Sequence, residues 1–220
     1  MSNLFCRNDF NVKDMILTLH PENPQERQMQ RIADLLLKDG IIAYPTDTLF
    51  GLGCLASRKK AVSRIQSLKG RDPKKPMSIL CADFEMLCHY TRHLDTPTFR
   101  LLKQMFPGPY TALLPANHEV PRYLESKGKG KAHPIVGLRI PDHRFCRELA
   151  KLLGEPIITT SCNVSGEATL NSAWEIEEEL GHALDMVIDC GQPIGMGSTI
   201  IDLTGEEPVL VREGAGPWPI

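Results

Sequence analysis

Between Pro24 and Gly40 the apolar residues Met29, Ile32, Leu35 and Leu36 recur three and four positions apart. That spacing predicts an amphipathic helix, with Gly40 as its stop. The period then changes. Ile41-Ile42-Ala43-Tyr44 is a short apolar run ended by Pro45, which predicts a buried strand. The alternation continues along the chain. Further strands are predicted at 78–80, 110–114, 135–139, 157–160, 186–188, 199–203 and 209–212, and further helices at 58–68, 97–105, 143–153 and 173–180. Strands interleaved with helices predict an α/β fold, a sheet covered by helices. The breaks at Phe106-Pro107-Gly108-Pro109 and over 126–133 are too short to separate independent domains. Residues 15–220 therefore read as one domain, with residues 1–14 as a loose extension.

Composition narrows the class. Of the 220 residues, 42% are hydrophobic and 24% charged, close to globular averages. No apolar run approaches the ~18 residues of a membrane span, and the N-terminus lacks the basic-then-apolar pattern of a secretory signal. The seven cysteines form no Cys-x-x-Cys pair, so neither a zinc site nor a disulfide framework is expected. Reduced, mostly buried thiols and a cytoplasmic location follow. The net charge of −2 gives no global attraction to nucleic acid. Its distribution is uneven, however. Residues 58–75 carry eight Lys and Arg against Asp72 alone, and residues 167–189 carry five Glu and two Asp with no Lys or Arg. Such asymmetry marks either a polyanion-facing edge or two solvated helix faces.

The common nucleotide fingerprints are missing. There is no Walker-type loop, and Gly51-Leu52-Gly53 lacks the third glycine of the dinucleotide pattern. What stands out is a set of polar segments at strand ends, where ligands favour α/β sheets. Tyr44-Pro45-Thr46-Asp47-Thr48 leads into a Gly-rich turn at 51–53, as a ligand contact or an ordinary Asx-type turn. Lys69-Gly70-Arg71 could clamp phosphate oxygens or simply end a solvated helix. Thr159 to Gly166 is rich in hydroxyls and amides. Gly195-Met196-Gly197-Ser198-Thr199 would let backbone approach a ligand closely, and Val211-Arg212-Glu213-Gly214 ends a strand with a cation. Cys162, among polar residues, reads as a structural thiol rather than a nucleophile.

These segments, with Pro107-Gly108-Pro109-Tyr110-Thr111 and Val136-Gly137-Leu138-Arg139-Ile140-Pro141, resemble in their order the YrdC family of threonylcarbamoyl-AMP synthases, and among them the shorter YciO-like branch. The resemblance implies a twisted, mostly mixed sheet flanked by helices around a basic cleft. It implies a nucleotidyltransferase that joins L-threonine, bicarbonate and ATP into threonylcarbamoyl-AMP and releases pyrophosphate, for modification of an adenosine in tRNA. By matching position it implies Lys69, Arg71, Ser161 and Asn163 as catalytic residues. Arg71, Thr111, Ser161, Asn163 and Arg212 would bind ATP, and Thr48, Arg139 and Ser198 would bind threonine. No protein metal site is implied, and magnesium is expected with the triphosphate. The chain departs from some members at four places: Lys75 before Pro76, Leu80 for a His that contacts threonine, Pro115 for an Arg near its carboxylate, and Cys162 for Ala. Two other readings remain open at this point. One is a protein that binds tRNA or double-stranded RNA with little turnover; the other is a synthase with a different amine acceptor.

Overall fold

The alternating pattern becomes a ten-stranded sheet in the computed structural model, which describes residues 15–70, 77–127, 133–164 and 166–219. In chain order the elements are β1 (Ile16–Thr18), α1 (Glu26–Leu37), β2 (Ile42–Pro45), β3 (Phe50–Gly53), α2 (Lys59–Leu68), β4 (Ser78–Leu80), α3 (Phe84–Tyr90), α4 (Thr96–Met105), β5 (Tyr110–Pro115), β6 (Ile135–Arg139), α5 (Arg144–Leu153), β7 (Ile157–Ser161), α6 (Ala173–Leu180), β8 (Met186–Asp189), β9 (Thr199–Asp202) and β10 (Val209–Arg212). Across the sheet the order is β1-β8-β2-β3-β7-β4-β6-β5-β9-β10. The sheet is mixed: β1 and β2 run parallel to β8, β4 to β6 and β5 to β9, while the remaining pairs are antiparallel. The expected extension at 1–14 lies outside the described residues.

Successive strand residues point to opposite faces, so each strand serves two environments. On one face Ile41, Ala43, Leu52, Ile79, Ala112, Leu114, Val136, Leu138, Ile158 and Ile201 form a continuous core. That core is closed by the apolar stripes of α2, α3, α4 and α6. On the other face the coverage stops halfway. Helices α1 and α5 pack there on Ile42, Tyr44, Leu80, Ile157, Met186 and Ile188. Beyond Leu80 and Ile157 no helix follows among the described residues, and the exposed floor changes character to Ser78, Thr159, Gly137, Leu113 and Thr111. This half-covered face is the cleft.

Most expected elements are found within one or two residues of their sequence limits. Three are additional. β1 is a three-residue edge strand. The seven-residue α3 starts at Asp83, whose carboxylate accepts the Met86 N–H. β3 occupies the stretch expected to be a Gly-rich turn. Its glycines are there for packing. A Cβ at Gly53 would lie 2.6 Å from the Tyr44 ring and 2.8 Å from the Ile158 carbonyl oxygen. Tyr44, fully buried, lies against the space that a side chain would otherwise fill. Gly53→Ala must push Tyr44 or a sheet carbonyl aside. Overpacking of this kind costs about 1–3 kcal/mol, so the denaturation midpoint is expected to fall clearly. An unchanged midpoint would show that the β2–β3 pair gives way freely.

Candidate active site

The cleft has a volume of about 610 Å³, and ten of its twenty-five lining residues carry hydroxyls. This is within the usual range for a small-molecule site. Four neighbouring strands set its main row. In the β5–β6 ladder Ala112 faces Leu138, so the next pair along is Thr111 with Arg139. Thr111 in turn faces Ile200, and Ile200 faces Arg212. Arg139 and Arg212 thus end one cross-strand row, three strand spacings or ~14 Å apart at the backbone. All four of these residues line the cleft.

At the Arg139 end the side chain is buried, with 8% of the residue exposed. Its Nη2 donates to Asp47 Oδ1 at 2.8 Å and to Thr48 Oγ1 at 2.9 Å. The other oxygen of Asp47 accepts the Asp142 N–H at 3.1 Å. Thr46 shapes the loop that presents these groups: its Oγ1 accepts the N–H of Thr48 and Leu49, donates to the Leu49 carbonyl and lies 3.0 Å from Thr48 Oγ1. Arg139 Nε is buried and has no partner among the described residues. At the other end Arg212 Nη2 donates to the Ser198 carbonyl at 2.6 Å and to Ser198 Oγ at 3.2 Å. Ser198 Oγ is 2.8 Å from Thr111 Oγ1. Burial, and then repulsion from Arg139, lower the Arg212 pKa from the ordinary guanidinium value.

A second row lies one pleat further along the strands. Thr159 faces Ser78 across the β4–β7 pair. Ser78 lies beside Gly137, which faces Leu113. A Cβ on Gly137 would come within 2.9 Å of Ser78 Oγ, so only glycine keeps this floor open. Ser78, Gly137, Ser126 and Thr169 line the cleft although the sequence reading did not select their side chains. The signal available was strand alternation: each small or hydroxyl residue on β4 and β6 shares a face with residues already suspected.

The expected basic and polar set divides. Ser161 lines the cleft, and its hydroxyl donates to Asn163 Oδ1 at 2.7 Å. Lys69 does not line it; only 2% of the residue is exposed. Its ammonium donates to the Ser161 carbonyl at 2.5 Å, the Asn163 carbonyl at 2.8 Å and Asn163 Oδ1 at 2.9 Å. Lys69 is thus placed beneath the 161–163 loop rather than as a direct clamp on a ligand. Arg71 and Lys75 lie outside the described residues. Among the described lining residues the cations are Arg139 and Arg212, with Glu213 the acid. Among the described residues the cleft is a groove rich in hydroxyls with a cation at each end. Cys162 is buried, and burial pushes its thiol up to about 12 against the opposing pull of Lys69, as suits a structural thiol. Two of the departures from the family pattern, Leu80 and Pro115, lie off the cleft. Leu80 is fully buried in the core under α1 and α5, and Pro115 lies at the far end of β5 facing Ile135. Neither lines the cleft.

Comparison with known proteins agrees with this geometry. The Sua5/YciO/YrdC family model, described as "Telomere recombination", matches residues 34–214. The chain belongs to the Sua5/YciO/YrdC family. Within it, an uncharacterised protein of Haemophilus influenzae is 37% identical over 201 residues, covering 90% of this chain and 94% of its own length. The crystal structure of Escherichia coli YciO superposes with a TM-score of 0.85 at 34% identity, covering 93% of this chain and 97% of that one. The Pyrococcus abyssi threonylcarbamoyl-AMP synthase is 36% identical over 189 residues, 85% of this chain but 54% of its own length. A structure of the P. abyssi protein, Sua5, complexed with L-threonine superposes with a TM-score of 0.82 at 34% identity, covering 90% of this chain and 57% of that one. Family members therefore share the mixed sheet, and some extend well beyond the matched region.

The placement of Lys69 changes what its removal should do. Lys69→Met leaves the oxygens of Ser161 and Asn163 without their buried cation, at a cost of about 2–4 kcal/mol. A clear drop in melting temperature is expected even with no ligand present. An unchanged melting temperature would mean that the loop holds its shape without the ammonium.

Proposed function

We propose that the chain is an L-threonylcarbamoyladenylate synthase: a nucleotidyltransferase that combines L-threonine, bicarbonate and ATP. The observation that carries this reading is the row from Arg139 through Thr111 and Ile200 to Arg212, two cations bracketing a hydroxyl-lined floor. The family's threonylcarbamoyl-AMP synthases, and the threonine complex of one of them, support the choice of substrates.

The reaction asks little of the protein beyond placement and charge. The threonine amine adds to bicarbonate and loses water, giving a carbamate. A carbamate oxygen then attacks the α-phosphorus of ATP. The bond from that phosphorus to its β-bridging oxygen breaks, and pyrophosphate leaves with the electron pair. Two anions must meet for this to happen. Arg212, oriented by the Ser198 carbonyl and hydroxyl, offsets the phosphate charge. The hydroxyls of Thr111 and Ser198 give the phosphate further partners, and Ser161, held by Asn163 behind it, adds a hydroxyl to the cleft wall. Thr48, held by Arg139, faces the acceptor side. Holding both substrates in one groove supplies much of the rate. Among the described residues no group of three or more His, Cys, Asp or Glu could hold a metal ion. Magnesium in this reading enters with the triphosphate, as part of the substrate.

The test is pyrophosphate release from ATP, bicarbonate and individual amino acids. Release that depends on L-threonine is expected. Arg212→Ala should lower it by about 10²–10³-fold, the usual loss for one charge-stabilising donor, with little change in melting temperature. RNA binding with no pyrophosphate release under any amino acid would overturn the synthase reading. Release with another amine but not with threonine would change the acceptor.

A further inference from the structure

We propose that Asp47 is a specificity-determining positioning residue, one that cancels the charge of Arg139 so that this end of the cleft admits the acceptor and refuses phosphate. The proposal rests on the synthase reading for the identity of the acceptor, but the charge argument stands on the geometry. Asp47 and Arg139 form an ion pair at 2.8 Å, with side chains 8% and 10% exposed. Both carboxylate oxygens are engaged, one by Arg139 Nη2 and one by the Asp142 N–H. The carboxylate therefore has a fixed orientation. The Nη2 it holds also donates to Thr48 Oγ1. One position of the guanidinium thus sets the hydroxyl as well.

The two ends of the row consequently differ in kind. Arg212 hydrogen-bonds to the neutral carbonyl and hydroxyl of Ser198, and among the described residues no ion pair joins it to an acid. It presents net positive charge. The Arg139–Asp47 pair is neutral as a unit, yet Arg139 Nε remains a buried donor with no partner among the described residues. One end attracts polyanions by charge. The other lines the cleft with Arg139 and Thr48 and carries no net charge, which suits a single carboxylate or carbonyl group better than a polyphosphate. Without the Asp47 charge, the row would carry two full cations. A polyphosphate could then be held at the Arg139 end, where the acceptor must sit.

The experiment is calorimetry on the full chain with pyrophosphate and with L-threonine, comparing wild type with Asp47→Asn and following melting curves alongside. Asp47→Asn is expected to bind pyrophosphate about tenfold tighter, the effect of ~1.4 kcal/mol. Pyrophosphate should also compete with threonine in the variant and not in the wild type. A purely structural role would weaken both ligands in parallel with a fall in melting temperature, and that result overturns the proposal. Should Asp47→Asn fail to fold, the double variant Asp47→Asn, Arg139→Gln keeps the shape of the pair without its charges. Pyrophosphate affinity near that of wild type with threonine binding lost is then expected, and retained threonine binding overturns the proposal. The pyrophosphate affinity of Asp47→Asn decides the role of Asp47 whatever the acceptor, whereas the synthase reading fails separately, on absent turnover.

Discussion

A sheet has two faces, and in this chain the helices cover one and a half of them. Everything at the candidate site follows from that constraint. Where α1 and α5 lie over the strands, the inward residues are Ile42, Tyr44, Leu80 and Ile157, which need burial. Where the helices stop, the same pleat carries Ser78, Thr159, Gly137 and Thr111, which tolerate water or a ligand. The opposite pleat of the same strands is mostly apolar and holds the fold together. Stability and chemistry are thus assigned to alternate residues of single strands. A substitution at an odd or an even position of β6 therefore has a different meaning: Leu138 belongs to the core, Arg139 to the cleft.

The cations differ in setting as well as in partners. Arg139 and Lys69 are buried, whereas Arg212 stands on an exposed strand. Lys69 is surrounded by carbonyls of one loop and acts on the shape of that loop. Arg139 is tied to a carboxylate and offers direction more than charge. Arg212 is tied to neutral oxygens and keeps its charge available. Three cations that the sequence offers as ligand contacts thus sit in three different settings: a loop's carbonyls, a carboxylate and a neutral hydroxyl.

Much of this was legible in the sequence, for reasons that can be named. Strands such as Ile135–Arg139 and Val209–Arg212 were found because apolar runs between turn residues leave few alternatives. Thr48, Thr111, Ser161, Ser198, Arg139 and Arg212 were found through a family pattern, and all six lie in the cleft. β3 was misread because glycine ordinarily weakens a strand, and the reason it does not do so here is the Tyr44 ring, a tertiary contact. The contacts of Lys69 with the 161–163 loop were not legible, because spacing along a chain does not tell on which side of a loop an ammonium ends. That the departures at Leu80 and Pro115 lie off the cleft was hidden for a related reason: linear correspondence carries no information on which end of a strand is roofed by helices.

Arg212 sits on β10, the last strand of the sheet, where all four residues from Val209 to Arg212 are exposed and the register shifts between Leu210 and Arg212. One ladder alone, to β9, holds this strand in place. The group that contributes net positive charge to the cleft thus belongs to an edge of the framework. Edge segments of this kind open at lower free energy than the sheet interior. An anion gripped by Arg212 is then a crosslink between the loose margin and the rigid centre of the sheet, through Ser198 and Thr111. Occupancy and order at this margin are then coupled: part of the energy of binding an anion there goes into fastening the edge strand.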